Sequence, residues 1–365
     1  MAPSLFPKSG ASNFPSAIQR ALGFFVCLLI AVSSFGTTAS ANDFAIDPAI
    51  TPPKVFSNWQ ALLNSSLTIS KVTPAVIKQL NDTRHPRYWN DCFQGATTSS
   101  GFKGLTPCHF GDVASKTKVV VVGDSFAGEW IPALDILGKS LHFEVIANVR
   151  YGCPFFNLAV RGSLPVDSGC LPFNKAAARF ANSLNPSLVI FSQNLYEKRA
   201  DGSPLDLSGS TYASAISTSI SNIHAQAKVM FFGFTFASTD PGICIPRNLN
   251  SVQNCSTPLS KTFSTAWFTN FSNAAKTGGA YPIGLSSLSC TASLCPSIVG
   301  GQLVHQDKAH FMAGFAQEAA PVLGQLIGCA SSQFTSSTVL RLLLQSPTSS
   351  ASSWCASNAE RLGMP

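Results

Sequence analysis

The order of apolar and polar residues along the chain predicts strands that alternate with helices. Four consecutive valines, from Val119 to Val122, are typical of a strand that is buried on both faces. A helical pattern follows from Phe126 to Leu137, and further apolar runs and amphipathic stretches continue the alternation. Strands are also expected over 143–149, 185–192 and 229–234, and helices over 175–184, 212–227 and 264–276.

Such alternation predicts an α/β fold, a three-layer, doubly wound parallel sheet with helices on both faces. A last amphipathic helix is expected from Ala309 to Ile327, bent or divided by Pro321. Before the sheet, residues 42–116 form a lead-in segment with two short helices, near 56–63 and 72–80. The main domain is expected to span 117–328, and 329–365 form a Ser/Thr-rich tail.

The first 41 residues have the pattern of a secretory signal peptide. Lys8 and Arg20 precede an apolar run, and Ala39-Ser-Ala41 provides a small-residue cleavage site that leaves Asn42 first in the mature chain. The run is short for a membrane span, although a retained signal anchor is the alternative. No other stretch is long and apolar enough to span. A secreted or periplasmic protein without a stable membrane span after cleavage is therefore expected.

Composition and charge narrow the class of partner. Of the 365 residues, 11% are charged and 45% are hydrophobic, which is neither a disordered nor a coiled-coil composition. The net charge of +7 comes from scattered lysines and arginines with no basic run. This pattern argues against nucleic acid as the partner and permits an anionic envelope polymer.

Cysteine usage favours an oxidising compartment. Of eleven cysteines, Cys27 lies in the leader, which leaves an even ten. There is no Cys-x-x-Cys spacing and no interleaved histidine, so disulfides are favoured over a metal site, and no metal or cofactor is expected. Sequence cannot fix the connectivity; joining neighbours is the simplest arrangement, and it pairs Cys92 with Cys108, Cys153 with Cys170, Cys244 with Cys255, Cys290 with Cys295 and Cys329 with Cys355.

Ser125 stands where the first strand gives way to a helix. Open α/β sheets bind ligands at the carboxyl edge of their strands, and a helix start offers free N–H groups to a developing oxyanion. The alternative is that Asp124 or Ser125 only caps the helix. Two further loops, Arg150–Pro154 and Gln193–Asn194, follow strands at the same edge.

The Asp307-Lys-Ala-His310 stretch could supply the base that a serine nucleophile needs. An aspartate three residues before a histidine can orient the imidazole through Nδ1 and leave Nε2 to accept a serine proton. The alternative is a solvated helix start. No Gly-x-Ser-x-Gly follows a predicted strand, so the nucleophile-elbow type of hydrolase is not indicated.

Taken together, four stretches resemble the SGNH/GDSL hydrolase family. They are Gly123-Asp-Ser-Phe-Ala-Gly-Glu-Trp130, Tyr151-Gly-Cys-Pro154, Cys295-Pro and Asp307-x-x-His310. The resemblance covers roughly Cys92 to Ile327. It is closest to the SGNH domain that is fused, in many bacteria, behind the membrane domain of acyltransferase family 3 proteins, which O-acylate envelope glycans. It implies a flavodoxin-like parallel sheet.

The resemblance also implies a role for each site residue. Ser125 would be the nucleophile, His310 the base and Asp307 the carboxylate that orients it. The oxyanion would be held by the backbone N–H groups of Ser125 and Gly152 and by the side chain of Asn194. No cofactor is implied.

Three departures from the family pattern are visible. Asn194 lacks the Gly-x-Asn-Asp context of many relatives, and Phe126 stands where this branch often has histidine. The expected membrane acyltransferase domain has no counterpart in the sequence, so a free-standing secreted version is expected. A separate membrane protein could then supply the acyl group.

The leading hypothesis is a secreted serine esterase or O-acyltransferase of the O-acetyl type, acting on an acylated envelope polysaccharide or a small acyl ester. The alternative from another class is a non-catalytic carbohydrate-binding or accessory protein that kept the fold. A structural cell-wall protein is a third reading. The presence of Ser125, Asp307 and His310 together favours the enzyme, because a binding module has no need of all three.

Overall fold

The computed structural model describes most of the chain between residues 52 and 330. The described residues are 52–81, 104–156, 170–194, 209–232, 239–262 and 265–330, with Phe102, Leu158, Ser203, Leu205, Asp206 and Cys355 as isolated positions. The predicted signal peptide and most of the predicted tail lie outside the described residues.

The central element is a six-stranded sheet whose strands are parallel except at one edge. Its order in space is β1-β3-β2-β4-β5-β7, and β1 runs antiparallel to β3. The five parallel strands follow the 2-1-3-4-5 order of flavodoxin-like folds, which places a topological switch point between β2 and β4. The six strands are β1 Cys108–Gly111, β2 Lys118–Gly123, β3 Glu144–Val149, β4 Leu188–Ser192, β5 Lys228–Phe232 and β7 Tyr281–Gly284.

Two short ribbons lie outside the main sheet. Strands β9 Ile298–Val299 and β10 Gln302–Leu303 form one antiparallel pair, and β6 Thr257–Pro258 and β8 Leu294–Cys295 form the other. The helices are α1 Pro52–Ser66, α2 Pro74–Asn81, α3 Ser125–Gly128, α4 Ile131–Leu141, α5 Cys170–Leu184, α6 Ser210–Ser221, α7 Pro241–Arg247, α8 Thr265–Thr277, α9 Ser286–Ser289, α10 Ala313–Glu318 and α11 Ala320–Cys329, with short 3₁₀ turns over Val252–Cys255 and Leu259–Lys261.

The valines of β2 alternate between two apolar cores, one on each face of the sheet. Val119 and Val121 pack with α1, α4, α10 and α11, whereas Val120 and Val122 pack with α5, α6 and α8. This three-layer arrangement confirms the predicted α/β class with a mostly parallel sheet. Trp59, from the predicted lead-in segment, is buried in the first core and donates its indole N–H to the Leu288 carbonyl.

Disulfides brace the fold. The bonded pairs are Cys153–Cys170, Cys244–Cys255, Cys290–Cys295 and Cys329–Cys355. Cys108 is also disulfide-bonded. Cys92 lies outside the described residues. None of the helices in the described part of the chain combines the length and apolarity needed to cross a bilayer.

The structure corrects some element boundaries for local reasons. The helix predicted over 212–227 ends at Ser221, because the side chain of Asn182 bonds the Asn222 carbonyl and the His224 amide and so fixes a turn there. The helix predicted from Ala309 begins only at Ala313. It is interrupted near Pro321, as expected.

Candidate active site

Asp124 joins the turns that follow two neighbouring strands. One of its carboxylate oxygens accepts the Phe126 amide at 2.9 Å and caps α3. The other accepts the Asn194 amide, just beyond β4, also at 2.9 Å. Because Asp124 is fully buried, these charge-assisted bonds are strong. The capping role considered for Asp124 is therefore present, and it also fixes the position of the residue that follows.

A close approach of two backbones requires glycine before Asp124. Gly123 has a φ of +150°, and a Cβ added there would lie 1.8 Å from the Ser192 carbonyl oxygen. Any side chain would push the turn away from β4. The glycine thus holds the start of α3 tightly against the end of the neighbouring strand.

Ser125 is the first residue of α3 and lies at the carboxyl edge of the sheet, beside the topological switch point. It is 8% exposed. Its Oγ is 3.0 Å from Nε2 of His310, a residue 185 positions away in sequence. The serine hydroxyl can donate to that nitrogen when His310 carries its proton on Nδ1.

Asp307 holds His310 in the orientation that this tautomer requires. Its Oδ2 is 2.8 Å from Nδ1 of His310, and its Oδ1 accepts the amides of Ala309 and His310 at 2.7 Å each. Burial raises the pKa of Asp307, but the bonds and charge from His310 and the two amides outweigh it and lower the pKa to about 2. Asp307 is therefore ionised at neutral pH.

Backbone pairing fixes the turn that carries His310. Phe311 pairs with His305 in an antiparallel bridge, and the Gln306 amide donates to the His310 carbonyl at 2.9 Å. The His310 ring lies against Phe126, with centroids 5.3 Å apart. The expectation of a helix start at this point was wrong, since the bridge keeps His310 in a loop three residues before α10.

The predicted oxyanion donors lie on loops beside this serine. Gly152 follows β3 in a turn with φ of +65°, and the Arg150 amide ties that turn to the Gly123 carbonyl at 3.0 Å. The Cys153–Cys170 disulfide joins the same turn to the start of α5. The Asn194 amide bonds Asp124, the residue directly before Ser125. Both loops thus reach the edge where Ser125 lies.

The sequence reasoning missed Glu129, although it lies within the quoted motif. The residue is 1% exposed and stands directly after α3, in an otherwise apolar stretch. A single acidic residue between Gly128 and Trp130, in an otherwise apolar stretch of the predicted helix, was the available signal. Within the described residues, no group of three or more His, Cys, Asp or Glu side chains is arranged to hold a metal ion.

Comparison with known proteins gives the chain a family. No curated protein matches its sequence. One similar solved structure is the periplasmic domain of the lipopolysaccharide acetyltransferase of Salmonella ser. Paratyphi A, at 14% identity and a TM-score of 0.47, covering 75% of this chain and 95% of that one. The family model for the SGNH domain that is fused to AT3 domains matches residues 91–325, well over half of the sequence. The chain therefore belongs to the family of SGNH domains fused to AT3 domains.

Proposed function

We propose that the protein is a secreted or periplasmic serine esterase or O-acyltransferase that moves an acetyl-type group through a covalent acyl-enzyme. Membership in the SGNH family supports an acyl-transfer or esterase role. One observation carries the assignment to residues: Ser125 Oγ lies 3.0 Å from His310 Nε2, and His310 Nδ1 lies 2.8 Å from Asp307. A nucleophile, a base and an orienting carboxylate then stand in the order that activates serine.

In the first step, His310 Nε2 takes the Ser125 proton as Oγ attacks the ester carbonyl carbon. The ionised Asp307 stabilises the imidazolium that forms. The tetrahedral intermediate collapses by breaking the carbon–oxygen bond to the leaving alcohol, which receives the proton from His310. The acyl group remains on Ser125 as an ester.

In the second step, His310 takes a proton from water or from a sugar hydroxyl as that oxygen attacks the acyl-enzyme. Collapse of the second intermediate returns the proton to Ser125. With water the product is a free carboxylic acid, and with a sugar hydroxyl it is a new O-acyl ester. The same residues serve both outcomes, so the choice depends on which acceptor the cleft admits.

The oxyanion of both intermediates would accept hydrogen bonds from the backbone N–H groups of Ser125 and Gly152 and from the Asn194 side chain. Removing one donor of this kind costs on the order of 100-fold or more in rate. The position of both loops at the Ser125 edge supports this assignment, since preorganised donors need no reorganisation during the reaction.

An acylated envelope polysaccharide is the proposed substrate class, with a small acyl ester as a simpler one. The disulfides support an oxidising compartment outside the cytosol. The AT3 fusion in the family description supports a membrane acyl donor as partner.

The test is covalent labelling of the whole protein with a fluorophosphonate, followed by mass spectrometry of its peptides. Ser125 is expected to carry the label, and Ser125→Ala is expected to lower hydrolysis of 4-nitrophenyl acetate by about 1,000-fold or more. Ser286→Ala is the matched control, because Ser286 also begins a four-residue helix. Unchanged turnover in Ser125→Ala would contradict the assignment of Ser125 as nucleophile, and wild-type protein that neither takes the label nor hydrolyses the ester would leave a binding or accessory protein as the better reading.

A further inference from the structure

Glu129 is a buried acid one helical turn beyond Ser125. Neither of its carboxyl oxygens has a side-chain partner or a hydrogen bond of full geometry, although the Phe311 amide is close enough to interact with the carboxyl group. Its backbone N–H donates to the Ser125 carbonyl at 3.1 Å. A buried carboxyl group without a partner is costly to keep. A simple α/β core would favour an apolar residue at this position, so the acid calls for an explanation.

The neighbours of Glu129 connect it to both loops of the site. Trp130, next to Glu129 in sequence, packs on Phe311 with ring centroids 5.3 Å apart, and the Phe311 amide interacts with the Glu129 carboxyl group. Phe311 directly follows His310. The Tyr151 hydroxyl lies within electrostatic range of the same carboxyl, and Tyr151 directly precedes Gly152. Glu129 thus interacts with two residues that are adjacent in sequence to the proposed base and to a proposed oxyanion donor.

The surroundings of Glu129 favour its neutral form. Burial raises its pKa well above the ordinary range; the Phe311 amide offsets part of the rise, and Asp124 and Asp307 add to it. Tyr151 is affected in turn. Burial raises its pKa, and the charge that Glu129 carries when ionised adds to the rise, which brings the pKa of Tyr151 to about 12.

We propose that Glu129 is a positioning residue that holds the His310 turn and the Gly152 turn in register around Ser125. The inference rests on the proposed function. A protonated carboxyl has one donor and one acceptor, so it can serve the Phe311 amide and the Tyr151 hydroxyl at once. An ionised one would repel Asp307 and Asp124, which already flank the site.

The first test compares substitutions at Glu129 in the whole protein with 4-nitrophenyl acetate as substrate. Glu129→Gln keeps a neutral donor and acceptor, and kcat is expected to stay within about threefold of wild type. Glu129→Leu keeps the size but removes both, and kcat is expected to fall about 10- to 100-fold with KM changed by less than about threefold. An unaffected Glu129→Leu, or a Glu129→Gln as slow as Glu129→Leu, overturns the proposal.

The second test is the pH profile of kcat, which a merely structural role would not move. Ionisation of Glu129 should lower wild-type kcat on the alkaline side, and Glu129→Gln should remove that decline. Glu318→Gln is the matched control, since Glu318 is another buried acid and burial raises its pKa to about 7. If Glu129→Leu does not fold, the pH profile of kcat tests the proposal in its place. An alkaline decline that persists in Glu129→Gln overturns the proposal. A decline that disappears in Glu318→Gln also overturns it.

A readout without turnover separates this proposal from the proposed function. The imidazole NMR signal of His310, assigned by its loss in His310→Gln, is expected to show an alkaline step in wild type that is absent in Glu129→Gln. Suppose that the wild-type protein shows the alkaline step in the His310 signal but neither hydrolyses the ester nor reacts with the fluorophosphonate. That result would contradict the proposed function and leave the role of Glu129 intact. Active, labelled protein without the step contradicts the role of Glu129 alone.

Discussion

Two histidine–carboxylate pairs lie at opposite ends of the same sheet, and only one of them faces a serine. His310 and Asp307 are 2.8 Å apart beside the carboxyl end of β2. His109 and Glu144 are 2.7 Å apart near its amino end, where Lys118 also binds Glu144 at 2.9 Å. By distance alone the two pairs are equivalent.

The charge state of the carboxylates does not separate the pairs either. Burial raises the pKa of Glu144, but bonds from Lys118 and His109 outweigh it and lower the pKa, much as His310 and two amides do for Asp307. The difference lies in the second imidazole nitrogen. His310 Nε2 meets the Ser125 hydroxyl, whereas the His109 side chain is 48% exposed. A histidine–carboxylate pair becomes a candidate base only where a nucleophile is held against it.

The largest expected effect comes from removing each histidine in turn. His310→Gln should lower kcat/KM for 4-nitrophenyl acetate by about 1,000-fold or more, because serine then lacks a proton acceptor. His109→Gln should leave the rate within about twofold, since that ring contacts no part of the site. Steady-state kinetics of both variants checks the comparison. A rate loss shared equally by the two would mean that neither histidine acts as the base.

The sequence predicted those features of the site that depend on local chemistry. Buried valines indicated the strand. The serine after them and the Asp-x-x-His spacing led to the hypothesis of a nucleophile and a base, and those roles stay predictions. The contact between residues 125 and 310 was an expectation that no local pattern could support, because the two residues are 185 positions apart and meet only through the fold. The roles assigned to the oxyanion donors stay predictions.

Other features depend on tertiary pairing that no local pattern reveals. Strand β1 has four residues and exists through its antiparallel pairing with β3, and β7 contains a proline and extends the sheet beside β5. Neither strand was predicted. Glu129 was missed for a related reason: its position in the motif was visible, but its burial against the Phe311 and Tyr151 loops was not.

A smaller effect is expected from the glycine that brings Ser125 to its place. Gly123→Ala should cost more than about 3 kcal/mol in unfolding free energy, because the new Cβ meets the Ser192 carbonyl and the backbone φ is strained. Gly301→Ala is the matched control: its φ is +81°, nothing lies within 4 Å of the added Cβ, and about 1 kcal/mol is expected. Denaturant unfolding measures both, and equal costs would show that the close approach to β4 is not needed.

The smallest expected effect concerns the pair without a serine. Because the folded pKa of Glu144 is depressed, its ion pairs stabilise the fold above the ordinary glutamate pKa, and this stability is lost as pH falls through the folded value. Glu144→Gln should therefore lower the unfolding free energy by about 1 kcal/mol at pH 7, a difference that shrinks as the pH is lowered below about 4. Its kcat should stay at the wild-type level, because Glu144 lies at the amino end of the strands and Ser125 follows their carboxyl end. Urea unfolding at several pH values, with ester hydrolysis in parallel, checks both. A marked loss of kcat in Glu144→Gln with unchanged stability would contradict the prediction and would show that the His109–Glu144 pair takes part in the reaction.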